Sequence, residues 1–145
     1  MHQLFKFAVK KMEAQGFGTV LNVASSAGLL PGGPYMAGYY ATKAYVVSLT
    51  RGVVEELREQ HSPVYVCALC PGPVDTEFNE RADVVFALRG IRPELCVEEA
   101  MRGMLRRKTI IVPSALMRAA TMAQRFMPMA ILMPILAHQQ KKKLG

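Results

Sequence analysis

Residues 64–70 read Val-Tyr-Val-Cys-Ala-Leu-Cys, and Pro71-Gly72-Pro73 follows them directly. The run carries no charge, its valines and tyrosine favour a strand, and the prolines end it. A strand that is apolar on both of its faces is typical of a parallel sheet with helices on both sides. We therefore predict a buried parallel strand over 63–70.

Helices and strands alternate on either side of this strand. Apolar spacing predicts two further buried strands, over 19–24 and 109–112, and helices over 2–15, 39–60, 97–107 and 114–145, the last broken near Pro128 and Pro134. The Gly-, Pro- and Ser-rich residues 25–38 predict a long loop. The alternation indicates an α/β fold with a doubly wound parallel sheet of about three strands and flanking helices. Because compact domains of this kind usually hold five or more strands, we expect only the C-terminal portion of a larger sheet.

Composition and charge limit the class of protein. The chain has 145 residues, 51% of them hydrophobic and 20% charged, which favours a packed globular domain over disorder. The net charge is +7, but its basic residues concentrate in 102–108 and 141–143 without interleaved aromatic residues. This pattern favours solvated helix ends, and we predict no nucleic-acid partner. No segment reaches the roughly 18–20 apolar residues that a membrane span requires.

The three cysteines are Cys67, Cys70 and Cys96, an odd number that favours a reduced, cytoplasmic setting. Cys67 and Cys70 form a CxxC pattern, but side chains alternate along a strand and these two would point to opposite faces. We interpret them as small core residues, with a metal or redox pair as the rival interpretation. No other Cys or His cluster has the spacing of metal ligands, so no metal site is predicted.

One helical turn carries a pair of residues suited to proton transfer. Tyr39 and Lys43 are four residues apart on the predicted helix and therefore share a face. An ammonium beside a phenol favours the phenolate, which lets the phenol exchange a proton with a substrate oxygen near neutral pH. Ser25 and Pro71-Gly72-Pro73 both follow strands, at the carboxyl edge of the sheet where open α/β folds bind ligands. Their convergence there predicts an active site.

These features lie in three motifs that resemble the short-chain dehydrogenase/reductase family. Asn22-Val23-Ala24-Ser25-Ser26-Ala27-Gly28 resembles its N-[IV]-x-S-S-x-x-G strand end, Tyr39-Tyr40-Ala41-Thr42-Lys43 its YxxxK helix, and Pro71-Gly72-Pro73-Val74-Asp75-Thr76 its PGxxxT loop. The resemblance covers roughly residues 1–112. It implies a Rossmann-like fold and an NAD- or NADP-dependent oxidoreductase that interconverts a carbonyl and an alcohol.

The resemblance also implies a role for each matched residue. Tyr39 would be the catalytic acid/base, Lys43 would favour its phenolate and bind the nicotinamide ribose, and Ser25 would bind the substrate oxygen. The residues lining the nicotinamide and pyrophosphate would be Pro71, Gly72, Val74 and Thr76. The family commonly places its serine thirteen residues before the tyrosine, which selects Ser26, whereas the register of the strand selects Ser25. We prefer Ser25, because a strand fixes register more tightly than a loop.

Several motifs of the family do not occur in this sequence. They are the TGxxxGxG dinucleotide turn, the NNAG motif and the catalytic asparagine. We therefore expect residues 1–112 to form the C-terminal half of a catalytic domain, present here as a truncated chain that by itself binds the cofactor weakly. Residues 113–145 would form a helical, apolar and basic extension. Rival interpretations are a non-catalytic fragment and one half of a split enzyme.

The partners follow from the same resemblance. The family pairs the helices matching 2–15 and 39–60, so a homo-oligomer is expected through them, with a complementary N-terminal half as the alternative partner. The methionines of residues 117–133 fit core packing, a lid over an apolar, lipid-like substrate such as an acyl chain or sterol, or contact with a membrane surface. The expected location is the cytoplasm, in the last case at the periphery of a membrane.

Overall fold

The computed structural model describes residues 1–75 and 90–141. In chain order the elements are α1 (His2–Gln15), β1 (Gly18–Val23), a first 3₁₀ helix (Ser26–Leu29), α2 (Ala37–Glu59), β2 (Val64–Leu69), α3 (Pro93–Leu105), β3 (Ile110–Ile111), α4 (Ala115–Ala123), a second 3₁₀ helix (Gln124–Phe126) and α5 (Met129–Lys141). Among the described residues, no helix combines the length and the apolar character needed to cross a membrane.

The three strands form one parallel sheet in the order β1-β2-β3. Along the first pair Gly18 lies opposite Val64 and Val23 opposite Leu69. The second pair is short, with Leu69 opposite Ile111 at its end. Because all three strands run the same way, their carboxyl ends and the loops that follow meet at one edge. The predicted α/β class with a three-stranded parallel sheet is confirmed.

Both faces of β2 are buried, as its uninterrupted apolar sequence predicts. Val64 and Val66 pack against Phe5 of α1 and Leu57 of α2. Further along the same face, a second cluster joins Cys70 and Ala68 to α2. The opposite face contributes Cys67 and Leu69, which contact Cys96 and Ala100 of α3. Helices therefore cover the two sides of the central strand.

The cysteine interpretation is confirmed by this alternation. Cys67 and Cys70 are both fully buried and lie in different clusters on opposite faces of the sheet. Burial raises the pKa of the Cys67 thiol, and it raises the pKa of the Cys70 thiol to about 11. Both groups are neutral thiols near pH 7, which is the state expected of core residues.

The two faces of β1 differ in how well they are packed by helices. Asn22 is buried against α2, where its Nδ2 donates to Thr50 Oγ1 at 3.0 Å. On the opposite face Thr19 is exposed, and Val23 has 60% of its surface in water. Helix α3 covers β2 and β3 on that face and leaves these β1 side chains open.

Four local predictions need correction. Helix α3 begins at Pro93, four residues before the predicted start, because proline suits the first helical position, where its missing N–H costs nothing. The predicted loop 25–38 contains the first 3₁₀ helix, and α2 begins at Ala37. The predicted break at Pro134 is wrong, since α5 continues through it. Buried Leu132 and Leu136 hold the helix on either side, while Pro134 itself is exposed.

Candidate active site

The loop after β1 places Ser25 at the carboxyl edge of the sheet. Ala24 N donates to Leu69 O at 2.8 Å, and Ser26 N donates to Pro71 O at 2.8 Å, so this loop lies directly beside the one that follows β2. Ser25 is buried, and its hydroxyl accepts from Ala27 N at 3.2 Å, which caps the first 3₁₀ helix. A hydroxyl that accepts in this way still has a proton to donate. This hydrogen bond therefore orients the Ser25 hydroxyl without using its O–H donor.

Helix α2 presents Tyr39 and Lys43 on one face, as their spacing predicts. The Lys43 Nζ lies 5.8 Å from the centroid of the Tyr39 ring. The same ammonium donates to the Val23 carbonyl at 3.4 Å, at the last residue of β1. Tyr39 has 44% of its surface exposed, so a ligand at the sheet edge can reach its hydroxyl. Lys43 thus connects the tyrosine to the end of the strand that leads to Ser25.

Close packing of the first 3₁₀ helix on α2 fixes these parts relative to each other. A Cβ added at Gly28 would lie 2.5 Å from the backbone oxygen of Lys43 and 3.0 Å from Val47 Cγ2. Real Cβ atoms do not approach a backbone oxygen so closely, so only glycine fits at this crossing. The absence of a side chain at Gly28 lets the loop bearing Ser25 lie directly on the turn bearing Lys43.

The two consecutive tyrosines have different environments. The Tyr40 side chain is buried, and its hydroxyl receives a hydrogen bond from Gln140 Nε2 at 2.5 Å. Burial raises the pKa of Tyr40, which keeps it neutral. Its ring meets that of Tyr39 edge to face at 6.2 Å. Tyr40 is therefore a packing residue, and the exposed Tyr39 is the one available to a substrate.

The loop after β2 carries the residues predicted to line a cofactor. Pro71, Gly72 and Val74 are each half-buried at the carboxyl edge. Val74 forms a parallel bridge with Ile91, which ties the loop to the approach to α3. Thr76 was also predicted to line the cofactor, and it lies outside the described residues. Within 1–75 and 90–141, no group of His, Cys, Asp and Glu side chains is placed to hold a metal ion.

Sequence reasoning missed the contacts that the C-terminal residues make with this edge. Gln124 Nε2 donates to Leu29 O at 2.6 Å, and Gln140 reaches Tyr40 as described. Lys141 Nζ lies 5.5 Å from the centroid of the Tyr35 ring. The available signal was weak: Gln124 is an uncharged polar residue next to Arg125, and Gln140 adjoins a polar run.

Comparison with known proteins identifies the family. The sequence model of the short chain dehydrogenases matches residues 1–84. The chain belongs to this family. It is 36% identical over 107 residues to the D-beta-hydroxybutyrate dehydrogenase of Rhizobium meliloti, an alignment that covers 72% of the chain and 40% of that relative. It is 37% identical over 75 residues to the 3-oxoacyl-[acyl-carrier-protein] reductase of Synechocystis, covering 52% of the chain and 29% of the reductase. The aligned part of the chain therefore covers less than half of the length of each of these two relatives.

Solved structures show the same fold. A short-chain dehydrogenase from Sphingobium yanoikuyae in complex with NADPH superimposes with a TM-score of 0.67 at 27% identity, over 89% of this chain and 53% of that one. A short-chain dehydrogenase/reductase from Burkholderia phymatum in complex with NAD superimposes with a TM-score of 0.65 at 23% identity, over 83% of this chain and 51% of that one. The expected Rossmann-like architecture and family are both confirmed.

Proposed function

We propose that this chain carries the proton-transfer part of an NAD- or NADP-dependent oxidoreductase that interconverts a carbonyl and an alcohol. One observation supports the proposal above all. The Lys43 ammonium lies between the exposed Tyr39 ring and the Val23 carbonyl, at the strand end that leads to Ser25. These contacts support a shared site for a phenol, a cation and a hydroxyl at the edge where such folds bind ligands.

Each of the three side chains has a distinct role in the proposal. In the direction of reduction, the Tyr39 hydroxyl gives its proton to the carbonyl oxygen, and it takes a proton back from the alcohol in the direction of oxidation. Lys43 favours the phenolate that remains, because an opposite charge stabilises it. The Ser25 hydroxyl donates to the same substrate oxygen and orients it. When bound, the nicotinamide cofactor supplies or accepts the hydride at the carbon.

The donors present fit the nicotinamide end of such a cofactor. Lys43 has three N–H donors, and among the described residues one of them is engaged, by Val23 O. Two donors are left for the hydroxyls of a ribose. We also assign Pro71, Gly72, Val74 and Thr76 to this binding surface, Thr76 by sequence alone. The dinucleotide-bound relatives support NAD and NADP equally.

Activity is tested in two steps because the chain spans only part of its relatives. The DNA upstream of Met1 is read first, and we expect an in-frame TGxxxGxG roughly 110–120 codons earlier. The reading frame from that motif through Gly145 is then assayed for NADH- and NADPH-dependent carbonyl reduction. Tyr39→Phe should lower kcat about 10²- to 10⁴-fold, since it removes the proton donor, whereas Tyr35→Phe should have little effect.

Comparison of two serine variants decides whether Ser25 or Ser26 is the catalytic serine. Ser25→Ala should lower kcat/KM strongly and Ser26→Ala weakly, and the reverse order would assign the role to Ser26. Without an upstream motif, the 145-residue chain is titrated with NADH and NADPH by fluorescence. Failure to bind either would favour the rival proposals of a non-catalytic fragment or one half of a split enzyme.

We further propose an apolar, acyl-like substrate. Two methionines from the C-terminal residues support this, because they reach the loops at the sheet edge. A Cβ added at Gly72 would lie 2.8 Å from Met117 Cγ, and one at Gly32 would lie 3.4 Å from Met133 Cε. Flexible thioether side chains adapt to irregular apolar ligands. A series of 3-oxoacyl thioesters of increasing length tests this: kcat/KM should rise with chain length and should not rise if the substrate is small and polar.

A homo-oligomer through α1 and α2 is also part of the proposal. A groove of about 400 Å³ runs between these helices, with an apolar floor that includes Phe5, Val9, Leu49 and Val53. Its rim carries both signs of charge: Lys6, Lys10, Glu13 and Glu56. Such a surface can be complementary to its own copy across a two-fold axis. Light scattering should report a dimer for the chain and a monomer for Leu49→Asp.

The remaining proposals concern location and organisation. The three cysteines are unpaired and buried, which suits a reducing compartment, and we place the protein in the cytoplasm.

We propose residue 112 as the boundary between the catalytic region and the C-terminal extension. The extension has an apolar outer side as well as the inner one, and this favours contact with a membrane surface.

A further inference from the structure

We propose that the described part of the C-terminal extension, residues 113–141, docks the protein on the surface of an anionic membrane. The inference goes beyond the oxidoreductase activity and depends on the outer side of the extension alone. The binding partner of the extension is a lipid surface that bears negative charge, and the protein lies on this surface without crossing it.

The first observation is a group of exposed apolar side chains in the extension that nothing in the described structure covers. Phe126 has 87% of its surface exposed, and five more large apolar side chains of the extension are exposed by 42% or more: Leu116, Met122, Met129, Ile131 and Ile135. In α5 the inward residues are Leu132, Leu136 and Gln140, all buried. The helix therefore has one packed apolar side and one open apolar side. An outward surface of this kind marks an interaction site.

The second observation is the distribution of charge. Residues 101–145 contain nine Lys and Arg and no Asp or Glu, while residues 1–100 hold the other nine basic residues and all 11 acidic ones. The positive charge of the sequence is thus concentrated in its last third. Arg102 and Arg118 pair with glutamates of α3, whereas Arg125 forms no ion pair among the described residues. Arg125 adjoins Phe126, and Lys141 ends α5. Apolar side chains flanked by basic ones are the combination that binds an anionic lipid surface.

Charge also argues against a second copy as the occupant. A two-fold interface places the same surface of both chains together, so two segments without a single carboxylate would face each other. Positive charge would then be opposed to positive charge. A layer of anionic headgroups supplies the missing negative charge, and its hydrocarbon accepts Phe126 and Ile131.

The inner contacts of the extension make its outer side testable without unfolding it. Gln124 donates to Leu29 O, Gln140 donates to Tyr40, and Leu132 and Leu136 are buried. None of these contacts involves Phe126 or Ile131, so both can be exchanged for serine while the packed side stays intact. Val97 and Met101 of α3 offer a matched control, since they are exposed by 62% and 54% on a helix outside the proposed dimer interface.

The experiment is co-sedimentation of the 145-residue chain with two sets of vesicles. One set contains equal parts of phosphatidylglycerol and phosphatidylcholine, and the other phosphatidylcholine alone. We expect binding to the anionic vesicles that weakens as salt is raised, because screening reduces the attraction. Phe126→Ser/Ile131→Ser should lower the partition coefficient at least about tenfold, while Val97→Ser/Met101→Ser should leave it unchanged.

A second pair of variants isolates charge from apolar contact. Arg125→Gln should lower the partition coefficient a few-fold, and Lys11→Gln, at an exposed basic position of α1, should not. Circular dichroism and light scattering of each variant show whether it is folded and whether its mass has changed. The proposal is overturned if neither vesicle binds the chain, if the serine pair binds as well as the original, or if that pair converts a dimer into a monomer. None of these results depends on catalytic activity.

Discussion

Gln140 Nε2 donates a hydrogen bond to the Tyr40 hydroxyl across 100 residues of chain, at 2.5 Å and within a buried contact. The bond joins the end of α5 to the first turn of α2, the turn that also carries Tyr39. Gln140 Oε1 is buried and has no hydrogen-bond partner within residues 1–75 and 90–141. Among the residues that the structure describes, this hydrogen bond is the polar side-chain contact between the extension and α2.

Tyr40→Phe should lower the free energy of unfolding by about 1–3 kcal/mol, because it leaves the whole Gln140 amide buried and unpaired. Urea denaturation measures the change. Tyr40→Phe/Gln140→Leu should lie closer to the original chain than Tyr40→Phe does, since no unpaired polar group remains. Tyr35→Phe, at a position that is 59% exposed, is the control with no expected loss. A double variant that loses the sum of the two single losses would show that the pair is not coupled.

A second buried polar contact, between β1 and α2, gives a matched comparison within one helix. Thr50 is fully buried; its Oγ1 receives a hydrogen bond from Asn22 Nδ2 and donates one to Val46 O at 2.8 Å. Thr50→Val should cost about 1–3 kcal/mol of stability, because the buried Asn22 amide loses its partner. Thr42→Val makes the same chemical change at an exposed position and should stay within about 0.5 kcal/mol. Equal losses at the two positions would contradict this account.

The sequence predicted most reliably what depends on periodicity. The apolar run of β2 predicted a strand buried on both faces, and the alternation of side chains placed Cys67 and Cys70 in different cores. The four-residue spacing placed Tyr39 and Lys43 on one face of α2. The catalytic roles of Ser25, Tyr39 and Lys43 remain predictions, since geometry alone does not measure proton transfer.

What the sequence did not reveal depends on contacts between distant residues. Proline usually ends a helix, but Pro134 is held within α5 because Leu132 and Leu136 pack on both sides of it. No local pattern distinguishes Gln140, which donates to the Tyr40 hydroxyl, from its neighbour Gln139. Propensity describes neighbours along the chain, and these features are set by neighbours in space.

The raised pKa of Cys70 predicts a dependence of stability on pH. Burial is the main cause, opposed by the charges of Arg51 and Lys43, and it raises the pKa to about 11 from an ordinary value near 9. The folded state thus holds the proton more tightly than the unfolded state, so the contribution is complete below about pH 9 and is lost as pH rises through about 11. Other groups also titrate in this window. Cys70→Ala should therefore show a shallower fall in unfolding free energy from pH 8.5 to 10.5, and an identical slope would contradict the shift.

Substitution of two glycines by alanine should change the free energy of unfolding in opposite directions. A Cβ at Gly28 would lie 2.5 Å from the Lys43 carbonyl oxygen, a backbone atom that cannot move aside without shifting the turn that bears Tyr39. Gly28→Ala should therefore lower the free energy of unfolding by about 3 kcal/mol.

Gly52 lies inside α2 with nothing within 4 Å of its added Cβ. Gly52→Ala should raise the unfolding free energy by about 1 kcal/mol, since alanine is the better helix former. Glycine-to-alanine substitution at these two positions thus separates the cost of steric crowding from the gain in backbone entropy. Urea titrations of both variants measure the two effects. Equal stabilities of Gly28→Ala and Gly52→Ala would contradict the close packing of the first 3₁₀ helix on α2. The position of the Ser25 loop relative to Lys43 would then be wrong.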